Sequence, residues 1–313
     1  MMKKFLILFL KFIFPFLLLV AGIELYVLFY PSSFTLKANY LKKNEGEIKT
    51  VILGSSHNQN ALDPSYFQYN TINLANPGQD VQLDSALFFK YIQKLKSTNL
   101  VILEMDYHTM EEKNDSSYFR LPWYYRFFDI KLYPISLLNR VSIYSSSPSF
   151  FNKLFVDEIN PKKLRYRLNK YGFIVNDFPG VMEDLKYDSL SLAETSDERL
   201  KDKHTAQSLE NFYFNRSKIN SIIAYCIVHN IKVVLISTPM YTTYINHEIA
   251  AKNNRRKKYV DSIIKLPNTY YFNFENSPLF NVHDFKNDDH LNSAGAVKFS
   301  KIVDSIVTSL NRH

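Results

Sequence analysis

The chain reads as an α/β protein, a three-layer α/β/α arrangement around a mostly parallel five-stranded sheet, preceded by one apolar N-terminal helix. Three observations predict it. Five short β-rich runs recur along the chain: TVILG (50–54), TINLAN (71–76), NLVILEM (99–105), IKVVLIST (231–238) and TYYFNF (269–274). Several are continuously apolar, as strands covered on both faces are. Helical patterns separate or follow them, and such alternation builds a doubly wound sheet with helices on both sides. The third observation is a leading apolar run, FLILFLKFIFPFLLLVAGIELYVLFY (5–30), about as long as a bilayer is thick.

That first run is expected to be an uncleaved signal anchor over residues 1–30. Lys11 and Glu24 interrupt it toward its ends, where Lys11 can snorkel. Val20-Ala21-Gly22 is a poor cleavage site, and the apolar run continues beyond it. Met1-Met2-Lys3-Lys4 ahead of the run favours a cytoplasmic N-terminus and an extracytoplasmic remainder, periplasmic or extracellular. Residues 31–313 then form the α/β domain. Within it, Leu83, Leu87, Tyr91 and Leu95 recur every four residues, and 212–228 and 294–310 carry similar helical patterns. Residues 107–205 fit the alternation poorly. They are rich in Tyr, Phe, Ser, Asn and Lys, with Pro122, Pro134, Pro148, Pro161 and Pro179 scattered through them. At that length they are an inserted aromatic cap, the expected seat of substrate choice, with Trp123, Tyr124 and Tyr125 read as packing groups.

Hydrophobic residues at 46% and charged residues at 22% exclude a disordered or low-complexity chain. The single cysteine, Cys226, excludes an intrachain disulfide framework and a zinc ribbon, and its apolar neighbours mark it as inert core. Of the formal +8, residues 1–49 hold seven lysines against three glutamates, a net +4 beside the apolar run. Basic charge there serves membrane topology, and no motif points to nucleic acid. A second basic run, Lys252 to Lys258, reads as a solvated helix face.

Doubly wound sheets place their sites beyond the carboxyl ends of the strands. After the first strand comes Gly54-Ser55-Ser56-His57-Asn58. Glycine permits a tight turn there, a serine is exposed, and turn N–H groups can receive an oxyanion. After the second strand comes Asn76-Pro77-Gly78-Gln79, where the Gly78 N–H is a candidate second donor. Near the C-terminus, Asn287-Asp288-Asp289-His290 precedes the last helix, whose cap is Asn292 or Ser293. A histidine beside acids suits a general base oriented by a carboxylate. His57 and Tyr241, the latter just past the fourth strand, are candidate substrate-lining residues.

On these motifs the chain resembles the SGNH/GDSL hydrolase superfamily, and within it the membrane-anchored branch that includes proteins of D-alanine transfer and polysaccharide O-acetylation in the cell envelope. The resemblance runs from about residue 50 to the C-terminus, outside 107–205. It implies an SGNH/flavodoxin-like fold with Ser56 as nucleophile and His290 as base. Asp288 or Asp289 would orient the ring, because the position three before the histidine holds Asn287 rather than aspartate. The block-two glycine falls on Gly78. The Gly-x-Asn-Asp motif of block three is missing, the third strand ending Glu104-Met105-Asp106-Tyr107-His108. The oxyanion hole would then rest on the Ser56 and Gly78 amides with Asn58 or Asn76, and losing one donor costs about 3–4 kcal/mol in a worked protease case.

The implied activity is a serine esterase or O-acyltransferase working through an acyl-enzyme on an acylated envelope glycan or glycolipid. It needs no cofactor and no metal, and a membrane acyltransferase is a further partner. Two rivals stand beside it. One is a metal site built from His283, Asp284, Asp288, Asp289 and His290, although no recognised ligand spacing supports it. The other is a catalytically weak or inactive scaffold of an envelope-modification complex.

Overall fold

A computed structural model describes residues 2–134, 136, 140, 142–160, 167–176, 181–188, 190–191 and 204–312. Its centre is a five-stranded parallel sheet of order β2-β1-β3-β4-β5, made of β1 (Thr50–Leu53), β2 (Thr71–Asn73), β3 (Leu100–Glu104), β4 (Lys232–Ser237) and β5 (Thr269–Asn273). All five expected strands form, each trimmed by one to three residues where the chain turns off the sheet. The α/β class and the parallel sheet are as the sequence predicts. A short antiparallel hairpin, β6 (Phe285–Asn287) with β7 (His290–Leu291), was not expected. Three and two residues per strand are too few to show a period of two.

Successive side chains of a strand face opposite layers. Val51, Leu53, Val101, Leu103, Val233 and Leu235 accordingly point into one apolar cluster. Ile52, Leu100, Ile102, Val234 and Ile236 point into the other. The first layer holds α4 (Val81–Tyr91) and α7 (Leu209–Val228), the helix that buries Cys226. The second holds α3 (Ser56–Ala61) and the terminal helix α9 (Ser293–Asn311), whose Phe299, Val303 and Val307 are fully buried. Asn292 caps α9, its side chain accepting the Gly295 N–H at 3.0 Å. A further helix, α8 (Ala250–Ile263), buries Tyr259, Val260 and Ile263 against the first cluster. The basic run lies on it, yet Lys252 and Arg256 are buried rather than solvated. Lys252 gives its ammonium to the His204 and Ala206 carbonyls, and Arg256 pairs with Glu275.

Two helices precede the sheet. α1 (Met2–Phe29) is 28 residues long, has Pro15 within it, and is long and apolar enough to cross a membrane. Its last turns are not lipid-like. The Glu24 carboxylate accepts the N–H groups of Ile143, Tyr144 and Ser145 at 2.7, 3.0 and 2.7 Å, and Val27 is buried. This leaves 5–23, apolar but for Lys11, about 28 Å of helix and close to one hydrocarbon thickness. α2 (Ser33–Asn44) follows after a three-residue break, capped reciprocally by Ser32 and Thr35.

Within 107–205 the described residues include α5 (Leu121–Phe128) and α6 (Pro148–Ile159). Trp123 and Tyr124 are buried edge-on against Phe34 of α2, the packing role expected of them. Pro161 and Pro179 lie outside the described residues.

Candidate active site

The strand order leaves β1 and β3 as neighbours whose onward connections diverge, the topological switch point at which such sheets bind ligands. Gly54 follows β1 with φ +137, and a Cβ there would stand 2.7 Å from both Cβ and Oε2 of Glu104. Only glycine fits. Its N–H donates to Asp84 Oδ1 at 2.9 Å. Ser55 then caps α3, and Ser56 is the first helical residue, part exposed where its neighbours are buried.

Ser56 Oγ lies 2.8 Å from His290 Nε2 across 234 residues of chain. The other ring nitrogen, Nδ1, lies 2.7 Å from Asp289 Oδ1 and 3.1 Å from Asn287 Oδ1. The β6–β7 hairpin explains this division. Asn287 and His290 are cross-strand partners and Asp289 sits in the turn between them. The position three before the histidine therefore still reaches the ring, as a neutral amide, and the charge comes from the residue next to it. Asp288 turns its backbone carbonyl to the Tyr241 N–H at 2.8 Å. Asp289 is buried, and although burial opposes its charge, His290 and His57 hold its carboxyl well below the usual range.

Beneath this line the end of β3 supplies two acids. Glu104 Oε2 accepts the Ser55 and Asn58 N–H groups at 2.8 and 3.1 Å, and Oε1 accepts the Ser55 hydroxyl at 2.7 Å. Asp106 accepts the Thr238 N–H and hydroxyl at 2.7 and 2.8 Å and meets His57 Nδ1 at 2.6 Å. Both acids are buried, so these charge-assisted bonds are short and strong. Asp84 is different. Burial, then the fields of Glu104 and Asp80, raise its carboxyl well above the ordinary range.

The second-strand loop is a type II turn. Pro77 and Gly78 (φ +68) are its central residues, and the Gln79 N–H reaches the Asn76 carbonyl at 3.0 Å. The Tyr118 hydroxyl donates to the Pro77 carbonyl at 2.6 Å, the Asn114 amide to the Gly78 carbonyl at 2.7 Å, and the Tyr124 hydroxyl to Gln79 Oε1 at 2.7 Å. From α2, the buried Lys37 ammonium contacts the Ala75 carbonyl, and burial pushes it down to about 7. Neither the Ser56 nor the Gly78 backbone N–H has an acceptor among the described residues.

Three sequence expectations are corrected. The Asn58 side chain donates inward to the Leu53 carbonyl at 2.7 Å and its backbone N–H is taken by Glu104, so neither is left for an oxyanion. Asn76 is fully buried, with its amide hydrogens on the Leu74 carbonyl and Gln79 Oε1 at 3.0 and 3.2 Å. Its task is to hold the turn. His57 does not line a cleft, because its ring is buried between Asp106 and Asp289. Tyr241 is half-buried, edge-on to Phe285 beside the hairpin. Glu104 and Asp106 were missed as working residues, although acids two apart closing an apolar strand face one side together, a signal open to sequence reasoning.

The five residues of the metal rival do not come together as a set, although Asp289 and His290 group with His57. His283 is exposed and rests on Tyr187, and Asp284 is paired with Lys298 at 3.0 Å. A different quartet, His57, Glu104, Asp106 and His108, brings one ligand-type atom each within 4.8 Å of the others. Its carboxylates are already filled by backbone, hydroxyl and imidazole donors, whereas His108 Nδ1 is left without a hydrogen bond among the described residues.

No protein-family profile matches the chain, and no curated protein matches it. Solved structures similar to it include two hydrolase-like proteins. A candidate acylhydrolase from Bacteroides fragilis NCTC 9343 is 14% identical at TM-score 0.41, covering 87% of this chain and 98% of its own. A GDSL-like lipase from Bacteroides thetaiotaomicron VPI-5482 is 11% identical at TM-score 0.39, covering 88% and 99%.

Proposed function

We propose that the chain is a membrane-anchored serine hydrolase or O-acyltransferase of the SGNH type, acting on an acyl ester of an envelope glycan or glycolipid. The observation that carries the reading is the continuous line from Ser56 Oγ through His290 to Asp289, at 2.8 and 2.7 Å. Ser56 attacks the ester carbonyl carbon while His290 Nε2 takes its proton. Asp289 holds the imidazole by Nδ1 and balances the charge it gains. The two unclaimed N–H groups, of Ser56 and Gly78, are the donors left for the oxyanion. The imidazolium then protonates the departing alkoxide. Water, or a sugar or polyol hydroxyl, next attacks the acyl-serine with His290 as base again, which makes the outcome hydrolysis or transfer.

The membrane reading rests on α1, with the lysines of its first turn in the cytoplasm and the sheet outside. Glu24 docks the end of α1 onto the domain, and Lys37 of the next helix touches the oxyanion turn. The reaction centre therefore hangs close to the bilayer, within reach of membrane-borne or membrane-proximal acyl groups. Residues of the inserted segment clamp the same turn, which suits a role in substrate choice, with Tyr241 beside the hairpin as a further lining residue.

The test is intact-mass analysis of the full chain in detergent after treatment with a fluorophosphonate. One adduct is expected on wild type, none on Ser56→Ala, and a rate at least about 100-fold lower in His290→Ala and Asp289→Asn. No adduct on folded wild type would reject the enzyme reading and leave the scaffold.

A further inference from the structure

The histidine next to the nucleophile has no part in the relay just described, yet it is buried at the centre of the site's ionisable groups. The His57 ring is buried to 1% exposure, and six titratable side chains face it from the surrounding elements. Asp106, Glu104 and His108 come from the end of β3 and the turn after it. Asp289 and His290 come from the β6–β7 hairpin, and His204 from the segment before α7. His57 Nδ1 lies 2.6 Å from Asp106 Oδ2, and Nε2 lies 3.6 Å from Asp289 Oδ2, an ion pair longer than a hydrogen bond. Asp289 thus has an imidazole against each oxygen, His290 on Oδ1 and His57 on Oδ2.

We propose that His57 and Asp106 form an inner dyad that holds the catalytic carboxylate from behind, so that one line of charge runs Ser56, His290, Asp289, His57, Asp106. The proposal rests on the reading of Ser56 as nucleophile and adds two positioning residues to it. A carboxylate in a hairpin turn is poorly fixed by its own backbone, and a buried one needs a cation or donors on both oxygens. His57 supplies the second partner. Asp106 keeps that ring in place, and Thr238, donating to Asp106 twice, ties the dyad to the end of β4.

The charges agree with the geometry. Burial alone would lower His57, but the bonds to Asp106 and Asp289 and the field of Glu104 outweigh it and hold the ring well above its ordinary range. Its neighbours move the other way. Burial, then the charge of His57, pushes His108 well below its ordinary range. His204 falls by burial and by the fields of His108 and His57. One imidazolium thus sits among neutral rings, 4.9 Å centre to centre from His290. The Asp289 carboxylate thus stands between the His57 cation and the ring that takes the Ser56 proton.

The test measures the rate of fluorophosphonate labelling from pH 5 to 10 on the full chain in detergent, with near-UV circular dichroism of each variant. His57→Gln should slow labelling at pH 8 by about tenfold and raise the midpoint of the pH profile by about one unit, since a unit charge a few ångströms away is removed. Asp106→Asn, which leaves the ring in place but weakens its hold on the proton, should shift the midpoint the same way by less. A purely structural role would lower the labelled fraction and leave the midpoint of the folded protein where it was. Wild-type rate and midpoint in folded His57→Gln, or in folded Asp106→Asn if the first variant does not fold, would overturn the dyad while Ser56 stands. Absence of labelling on wild type would overturn both.

Discussion

Glu104→Gln changes one oxygen to an NH2 group and tests whether the strand-end acid holds the nucleophile turn. The carboxylate accepts three bonds there, the Ser55 N–H, the Ser55 hydroxyl and the Asn58 N–H. A glutamine presents one acceptor oxygen, so whichever way it turns, an NH2 group faces at least one N–H or hydroxyl donor. Hydrogen bonds to a charged group contribute about 1.5–3 kcal/mol each, and a buried donor left without a partner costs about 1–3 kcal/mol. Losing one bond and stranding one donor should therefore destabilise the fold by about 3–5 kcal/mol. For a chain of this size that is a fall in Tm of about 5–8 °C. Thermal unfolding of the full chain in detergent, followed by circular dichroism, reads it directly. The labelling rate of Ser56 should fall with it, because Ser55 and Asn58 bracket the nucleophile in the first turn of α3. A Tm within about 1 °C of wild type would refute the reasoning and mean that water or a rotated Ser55 replaces the carboxylate at no cost.

Gly54→Ala should be worse for activity than for folding. The new methyl meets Glu104 at 2.7 Å and the backbone is held at φ +137, so about 2–4 kcal/mol of overpacking and strain is expected. Labelling should drop by more than about tenfold even in the folded fraction, since the residue two before the nucleophile must move. Lys37 gives a pH signature. Its ammonium titrates near 7 in the fold against 10.5 in the unfolded chain, so the unfolded state binds more protons between those values and stability rises with pH across that window. Lys37→Met removes that contribution, at most about 5 kcal/mol or about 7 °C, and the rise in Tm between pH 7 and 10 should flatten. An unchanged slope would show that the lysine keeps its proton at every pH.

The apolar strands, the helical periods and the turn glycines were legible in the chain because each is written in residues within one or two turns of one another. Five apolar runs gave the parallel sheet. Pro77-Gly78 spells a type II turn, and Gly54 ahead of a serine marks a bend no side chain tolerates. Ser56 and His290 were legible as a pair, since each stands where a doubly wound sheet exposes its strand ends. The choice among Asn287, Asp288 and Asp289 was not, because it depends on the register of a hairpin with two or three residues a strand. Only the tertiary structure turns Asn58 and Asn76 inward, where backbone carbonyls, Gln79 and Glu104 claim them. It alone buries His57 between two acids that arrive from 49 and 232 residues away. Local chemistry is set by neighbours in sequence, whereas the partner of a buried charge is set by which distant donors the packed layers bring within about 3 Å.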